Sequence, residues 1–125
     1  MKKNNKGQTL VALMVFVLAG MAITTAATFI IAANSLATSK IHQAIVARQA
    51  ADSGAENALM RLIRDRNYTG ETFNVGESEV IVTVSGEGVK KIVSKGKNSD
   101  FVKKVEVMAE LANNVLRVIS WKEIY

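Results

Sequence analysis

The chain has 125 residues, a formal net charge of +5 from 16 Lys/Arg and 11 Asp/Glu, and neither cysteine nor proline. That length holds one small domain and an additional element; the missing thiols exclude a disulfide brace and a thiolate metal site, and the missing prolines remove one cause of helix kinks. The basic excess is uneven, because Lys2, Lys3, Lys6 and Lys40 flank a single apolar stretch while residues 41–125 hold 12 Lys/Arg against 11 Asp/Glu, so overall charge does not mark a nucleic-acid binder.

Residues 7–39 carry no charge and follow directly on the hexapeptide Met1-Lys2-Lys3-Asn4-Asn5-Lys6. About 20 apolar residues cross a hydrocarbon core about 30 Å thick, and residues 9–33 exceed that. Positive residues ahead of the span hold that end in the cytoplasm, which places the C-terminal part outside it. Three readings compete. A cleaved secretory signal would be shorter and end at small residues; Ala26-Ala27-Thr28 and Ala32-Ala33-Asn34 imitate such sites, but the helical pattern runs past both. A plain signal-anchor is the second. The third is an anchor that also assembles. Thr24, Thr25, Thr28, Asn34, Ser35, Thr38 and Ser39 dilute the second half of the run. Hydroxyl residues can bond back within a helix, and small ones let helices approach closely. Gly20 is the weak point of the helix interior, at about 1 kcal/mol relative to alanine.

From residue 41 the pattern turns amphipathic. Ile41, Ala44, Ile45, Ala55, Ala58, Leu59, Leu62 and Ile63 recur at helical spacing, with Arg48, Gln49, Asp52, Glu56, Arg61 and Arg64 on the other face. The sequence therefore predicts one helix from about Thr9 to about Asp65, stopped near Gly70. Strands follow at residues 72–75, around Val80, Val82 and Val84, at 90–95 around Ile92 and Val93, from Phe101 to Leu111, and at 115–121. Gly86-Glu87-Gly88, Gly96 to Asp100, and Asn113-Asn114 supply the turns. In the fourth strand, Phe101, Val105, Val107, Ala109 and Leu111 share one face, opposite Lys104, Glu106 and Glu110. Short turns between consecutive strands imply an antiparallel meander. The fold class is thus α+β: a long N-terminal transmembrane and assembly helix packed on a small antiparallel sheet. Its parts are a basic N-terminal segment (1–7), an apolar helix (8–40) and a globular domain (41–125) with an amphipathic helix half (41–65) and a sheet (71–121).

The basic leader ending in Gly7, the entry Gln8-Thr9-Leu10-Val11-Ala12-Leu13, and the unbroken apolar helix resemble the export signal of type IV pilins and pseudopilins. The segment from Ala47 to Leu59 also resembles the end-of-helix region of minor pilins of the PilX type. The specific likeness covers residues 6 to about 62 and is architectural beyond that. It implies a pilin-like fold, cleavage after Gly7 by a prepilin peptidase, and methylation of the new N-terminus, here Gln8. It also implies other pilin or pseudopilin subunits, an inner-membrane assembly platform and membrane lipid as partners. Two residues depart from the pattern: the first mature residue is usually Phe or Met, and the fifth, here Ala12, is usually a Glu that pairs with a neighbour's terminal amine. An unpaired charge in a low-dielectric bundle is costly. Members lacking that Glu include a minor tip pseudopilin, so the likeness implies a minor, tip or priming subunit, in the inner membrane or a surface filament.

No catalytic constellation stands out, and no cofactor is implied. His42, the only histidine, has no cysteine or second histidine to share a metal with. Gly96-Lys97 lacks the earlier glycine of a phosphate loop, and Asn67-Tyr68-Thr69 matches a glycosylation sequon that is common by chance. Lys90, Lys91, Lys95, Lys97, Lys103 and Lys104 form the one basic cluster, with Asp100 the sole acid within it. Such a cluster either meets a polyanion, nucleic acid included, or keeps a sheet edge from pairing. Two function classes stay open: an envelope-filament subunit, or a single-pass anchored binding module, adhesin or DNA receptor, using a lysine-rich sheet edge.

Overall fold

The computed structural model describes residues 6–125; residues 1–5, which hold most of the leader expected over 1–7, lie outside the described residues. The architecture is the expected α+β one. Helix α1 (Lys6–Arg64) precedes five strands, β1 (Thr72–Val75), β2 (Ser78–Ser85), β3 (Val89–Asn98), β4 (Phe101–Ala112) and β5 (Val115–Ile124). They form one sheet in the order β1-β2-β3-β4-β5, every neighbour antiparallel. The chain divides between Ser39 and Lys40 into two compact units.

In the first unit, all described side chains from residue 6 to 39 are exposed. The threonines are satisfied within the helix itself. Thr25 Oγ1 donates to the Met21 carbonyl at 2.8 Å, Thr28 to Thr24 at 2.9 Å, and Thr38 to Asn34 at 2.9 Å. Such back-bonds hide the hydroxyls from an apolar surround.

The second unit owns the core. Ala47, Ala50, Ala51, Gly54, Ala55, Ala58 and Leu62 are the buried residues of α1. They meet Val80, Val82 and Val84 of β2, Ile92 of β3, and Val105 and Val107 of β4. The buried stripe differs from the one periodicity suggested. Ala55, Ala58 and Leu62 are buried, but Ile41, Ile45 and Ile63 are 61%, 50% and 63% exposed, and Leu59 is only partly buried. The reason is volume. The sheet supplies the bulk, so the helix contributes its smallest side chains and the backbones come close; the larger aliphatics flank the contact. A Cβ on Gly54 would overlap Ser94 Oγ and Val80 Cγ1, and one on Gly96 would overlap the Ala47 carbonyl oxygen and lie 2.6 Å from the Ala51 nitrogen.

Gly96 therefore does not begin a turn, as its place among Lys97, Asn98 and Ser99 suggested. β3 continues through Asn98, with Gly96 opposite Lys103 and Asn98 opposite Phe101. Asn113 and Asn114 do form the tight hairpin, with φ of 52° and 63°, the left-handed pair that a two-residue type I′ turn needs. The edges are β1, four residues long, and β5, whose pairing with β4 carries a bulge at Met108/Ala109. A short edge and a bulged edge both discourage further pairing.

The loop after α1 is tied back to the helix through Glu71. Its Oε1 accepts from Asn57 Nδ2 at 2.8 Å and from the Tyr68 hydroxyl at 3.1 Å. Burial, and then the Glu71 carboxylate, push the Tyr68 phenol up to about 12. Ser94 is the opposite case. It is fully buried under Gly54 and its hydroxyl has no hydrogen-bond partner among the described residues. An unpaired buried hydroxyl costs about 1–3 kcal/mol, so Ser94→Ala is expected to raise the thermal midpoint; an unchanged or lower midpoint would show that the hydroxyl is satisfied.

Candidate functional site

Two surfaces lie outside the core. The first is the apolar helix of residues 7–39. Leu10, Phe16, Ile23, Phe29, Ile31 and Leu36 are between 67% and 75% exposed. An apolar surface this large on a folded chain marks a membrane or protein contact. By length and hydropathy, this one helix near the N-terminus can cross a membrane. Gly7, Gln8 and Ala12 all lie in its first turns and are exposed. Among the described residues, a side chain at Gly7 would meet nothing within 4 Å, so no contact with them requires glycine there. The first turn holds no acidic residue.

The second surface is the sheet face turned away from α1. The six candidate lysines lie on β3 and β4, which are interior strands, so the reading of a lysine-rich sheet edge is corrected. They also divide between two faces. Ile92, Ser94 and Gly96 of β3 and Val105, Val107 and Ala109 of β4 are buried toward the helix. By alternation, Lys90 and Lys103 point to that side, and Lys91, Lys95, Lys97 and Lys104 to the outer side.

Two carboxylates, Glu106 and Glu123, then sort them. Lys91 Nζ lies 2.9 Å from Glu106 Oε2, and Lys122 Nζ lies 3.0 Å from its Oε1. On the helix side, Lys103 Nζ lies 2.8 Å from Glu123 Oε1, and Arg48 pairs with the other oxygen. The Tyr125 ring lies 5.8 Å from the same ammonium. Sequence reasoning missed Glu123 and Lys122 as partners, because only the β4–β5 register, with Lys122 opposite Glu106 and Glu123 opposite Val105, brings them in. Lys91 first and Lys122 second hold Glu106 below the ordinary carboxylate value of 4.5. Lys103 first, with Arg48 adding, does the same for Glu123.

With folded values depressed, the unfolded chain binds protons first as pH falls, so the stabilisation is complete above about 4.5 and is lost below it. Thermal melts from pH 7 to pH 3 are expected to show a falling midpoint that begins near pH 4.5, and the fall should be shallower in Glu106→Gln. Equal slopes in the two proteins would contradict the clamp.

The remaining sequence candidates are dispersed. His42 is exposed, and no group of three His, Asp or Glu among the described residues could hold a metal ion. Asn67 is exposed in the loop after α1. Gly96-Lys97 sits mid-sheet in β3 rather than before a helix, as a phosphate loop would. Comparisons of the chain with protein-family models, with curated proteins and with solved structures give no match.

Proposed function

We propose that the chain is a membrane-inserted, assembling subunit of an envelope filament of the type IV pilus or pseudopilus kind. The observation that carries this reading is the wholly exposed apolar surface of residues 7–39 beside a second unit that completes its own core. That surface is covered by none of the described residues. Lipid would cover it before assembly, and the helices of other subunits afterwards. Its hydroxyls, bonded back within the helix, and its alanines and Gly20 suit both surroundings. The positive leader directs the N-terminus to the cytoplasm and the sheet unit to the far side. A prepilin peptidase would cut between Gly7 and Gln8, and an inner-membrane platform would receive the product. Ala12, in place of a carboxylate, supports a minor or tip position, since a terminal amine buried in a bundle of such subunits would lack its partner.

Gly7→Leu tests this without altering the charge that sets topology. The variant is expected to insert normally, keep its leader, and vanish from sheared surface filaments, where the parent is found at low copy. Equal recovery of the two in the sheared fraction would contradict the reading, as would abundance matching a main filament protein.

A further inference from the structure

We infer that the outer face of the sheet binds a nucleic-acid duplex through its phosphate backbone, with Lys95, Lys97 and Lys104 as the contacts. The inference is separate from the filament reading, since it concerns only the unit that begins at Lys40.

It starts from an electrostatic conflict. Lys95, on the middle strand β3, and Lys104, on its neighbour β4, are directly opposite each other. Their Cβ atoms are therefore about 5 Å apart on one face, and like charges so placed repel. Lys97 follows Lys95 on that face about 7 Å along the strand. The nearby carboxylates do not relieve Lys95 and Lys104. Glu106 is already held by Lys91 and Lys122, and Glu123 lies on the other face with Lys103 and Arg48. Glu79 is the cross-strand neighbour of Lys97, and Glu110 that of Arg117. The outward positions of the sheet thus hold Lys91, Lys95, Lys97, Lys104, Arg117 and Lys122 against Glu79, Glu106 and Glu110, and the excess concentrates at Lys95 and Lys104.

The row itself shapes the ligand. Ile81, Lys95, Lys104 and Ile124 are successive cross-strand partners. Lys95, Lys104, Ile81 and Ile124 are all half-buried. Half-burial fits lysines whose aliphatic stems cover the flanking isoleucines while the ammonium groups reach water, as amphipathic side chains do. A rigid, linear anion of high charge density is the ligand that relieves such a pair, and a duplex presents one charge for about every 1.7 Å of its axis. The aromatic residues argue against a single strand. Phe73, Phe101 and Trp121 occupy helix-side register positions, opposite Val80, Asn98 and Val107. The outer face offers no ring among the described residues on which a base could stack. Contact is therefore with phosphates and independent of sequence.

The test uses the full-length chain in a non-ionic detergent and a labelled duplex of about 30 base pairs of arbitrary sequence, titrated by anisotropy between about 50 and 200 mM KCl. Three lysine–phosphate contacts give a slope of log K against log salt of about −3. Lys95→Gln/Lys104→Gln is expected to bring the slope to about −1 and to weaken binding about 50-fold near 0.1 M salt. Lys90→Gln, on the opposite face, leaves both unchanged. A single strand of the same length binds more weakly than the duplex. The double variant should melt at or above the parent, because it removes the repulsion. An unchanged slope in the double variant, or lysine-dependent binding to anionic lipid vesicles but not to the duplex, would overturn the inference. A melting temperature well below the parent's would overturn its premise that the pair is unrelieved.

Discussion

Gly96→Ala is expected to cost the Lys40–Tyr125 unit about 3 kcal/mol or more, and Gly96→Val to leave it unfolded at room temperature. The added Cβ at this position would meet backbone, the Ala47 carbonyl oxygen and the Ala51 nitrogen, rather than the end of a side chain that could swing away. Relief requires the helix to lift from the sheet, which would uncover the small residues around Ala47, Ala50 and Ala51 and the strand residues beneath them. Overpacking a tight core ordinarily costs about 1–3 kcal/mol when side chains can adjust, and here they cannot. A unit of this size has a stability on the order of 4–13 kcal/mol, so the loss is a large share of the total. Trp121 offers a direct readout. It is the sole tryptophan, and its Nε1 donates to Asp52 Oδ1 on the helix at 3.2 Å, so its fluorescence follows helix–sheet docking. Urea titration of the full chain in detergent should show an early transition in Gly96→Ala and an undisturbed one in Gly20→Ala, where an added Cβ meets nothing within 4 Å. Coincident transitions would contradict the close approach.

Leu62→Asp is the second large effect. Leu62 is fully buried at the C-terminal end of the helix stripe and is the largest side chain that α1 places in the core. A carboxylate there has no cation among the core residues, and burying it unpaired costs several kcal/mol. Loss of the cooperative Trp121 transition is expected. Leu59→Asp should cost distinctly less, because Leu59 is only partly buried, and Ile63→Asp close to nothing, since Ile63 is 63% exposed. The order of the three variants reads the rotational phase of the helix. A larger effect at Leu59 than at Leu62 would rotate the helix away from the packing described.

The sequence shows the helix, the strand count and the Asn113-Asn114 hairpin because each rests on a local signal: uninterrupted apolarity, alternation, or residues that tolerate positive φ. The helix phase is less legible. Ile41, Ile45 and Ile63 sit at helical spacing and look like a core stripe, yet the stripe that packs is alanine and glycine up to Leu62, and the hydropathy of those small residues is too weak to stand out. What selects them is the bulk of Val80, Val82, Val105 and Val107 across the interface, a fact about pairs rather than about single positions. Gly96 misleads for the same reason. Followed by Lys97, Asn98 and Ser99, it looks like a turn residue, but its function is to let the helix backbone through. The lysines show the limit most clearly. Lys90, Lys91, Lys95, Lys97, Lys103 and Lys104 are one cluster along the chain, but two faces and three carboxylate environments in the fold, and only register separates Lys95 and Lys104 from the others.

Residues 7–39 are expected to act as an anchor that is released from its leader at Gly7 and kept. Determining the N-terminus and intact mass of the membrane-extracted protein tests this most directly. A chain that begins at Gln8 and remains in the membrane fraction is the expected result. A chain that keeps its leader, or one that begins beyond Ala27 and leaves the membrane, would contradict it.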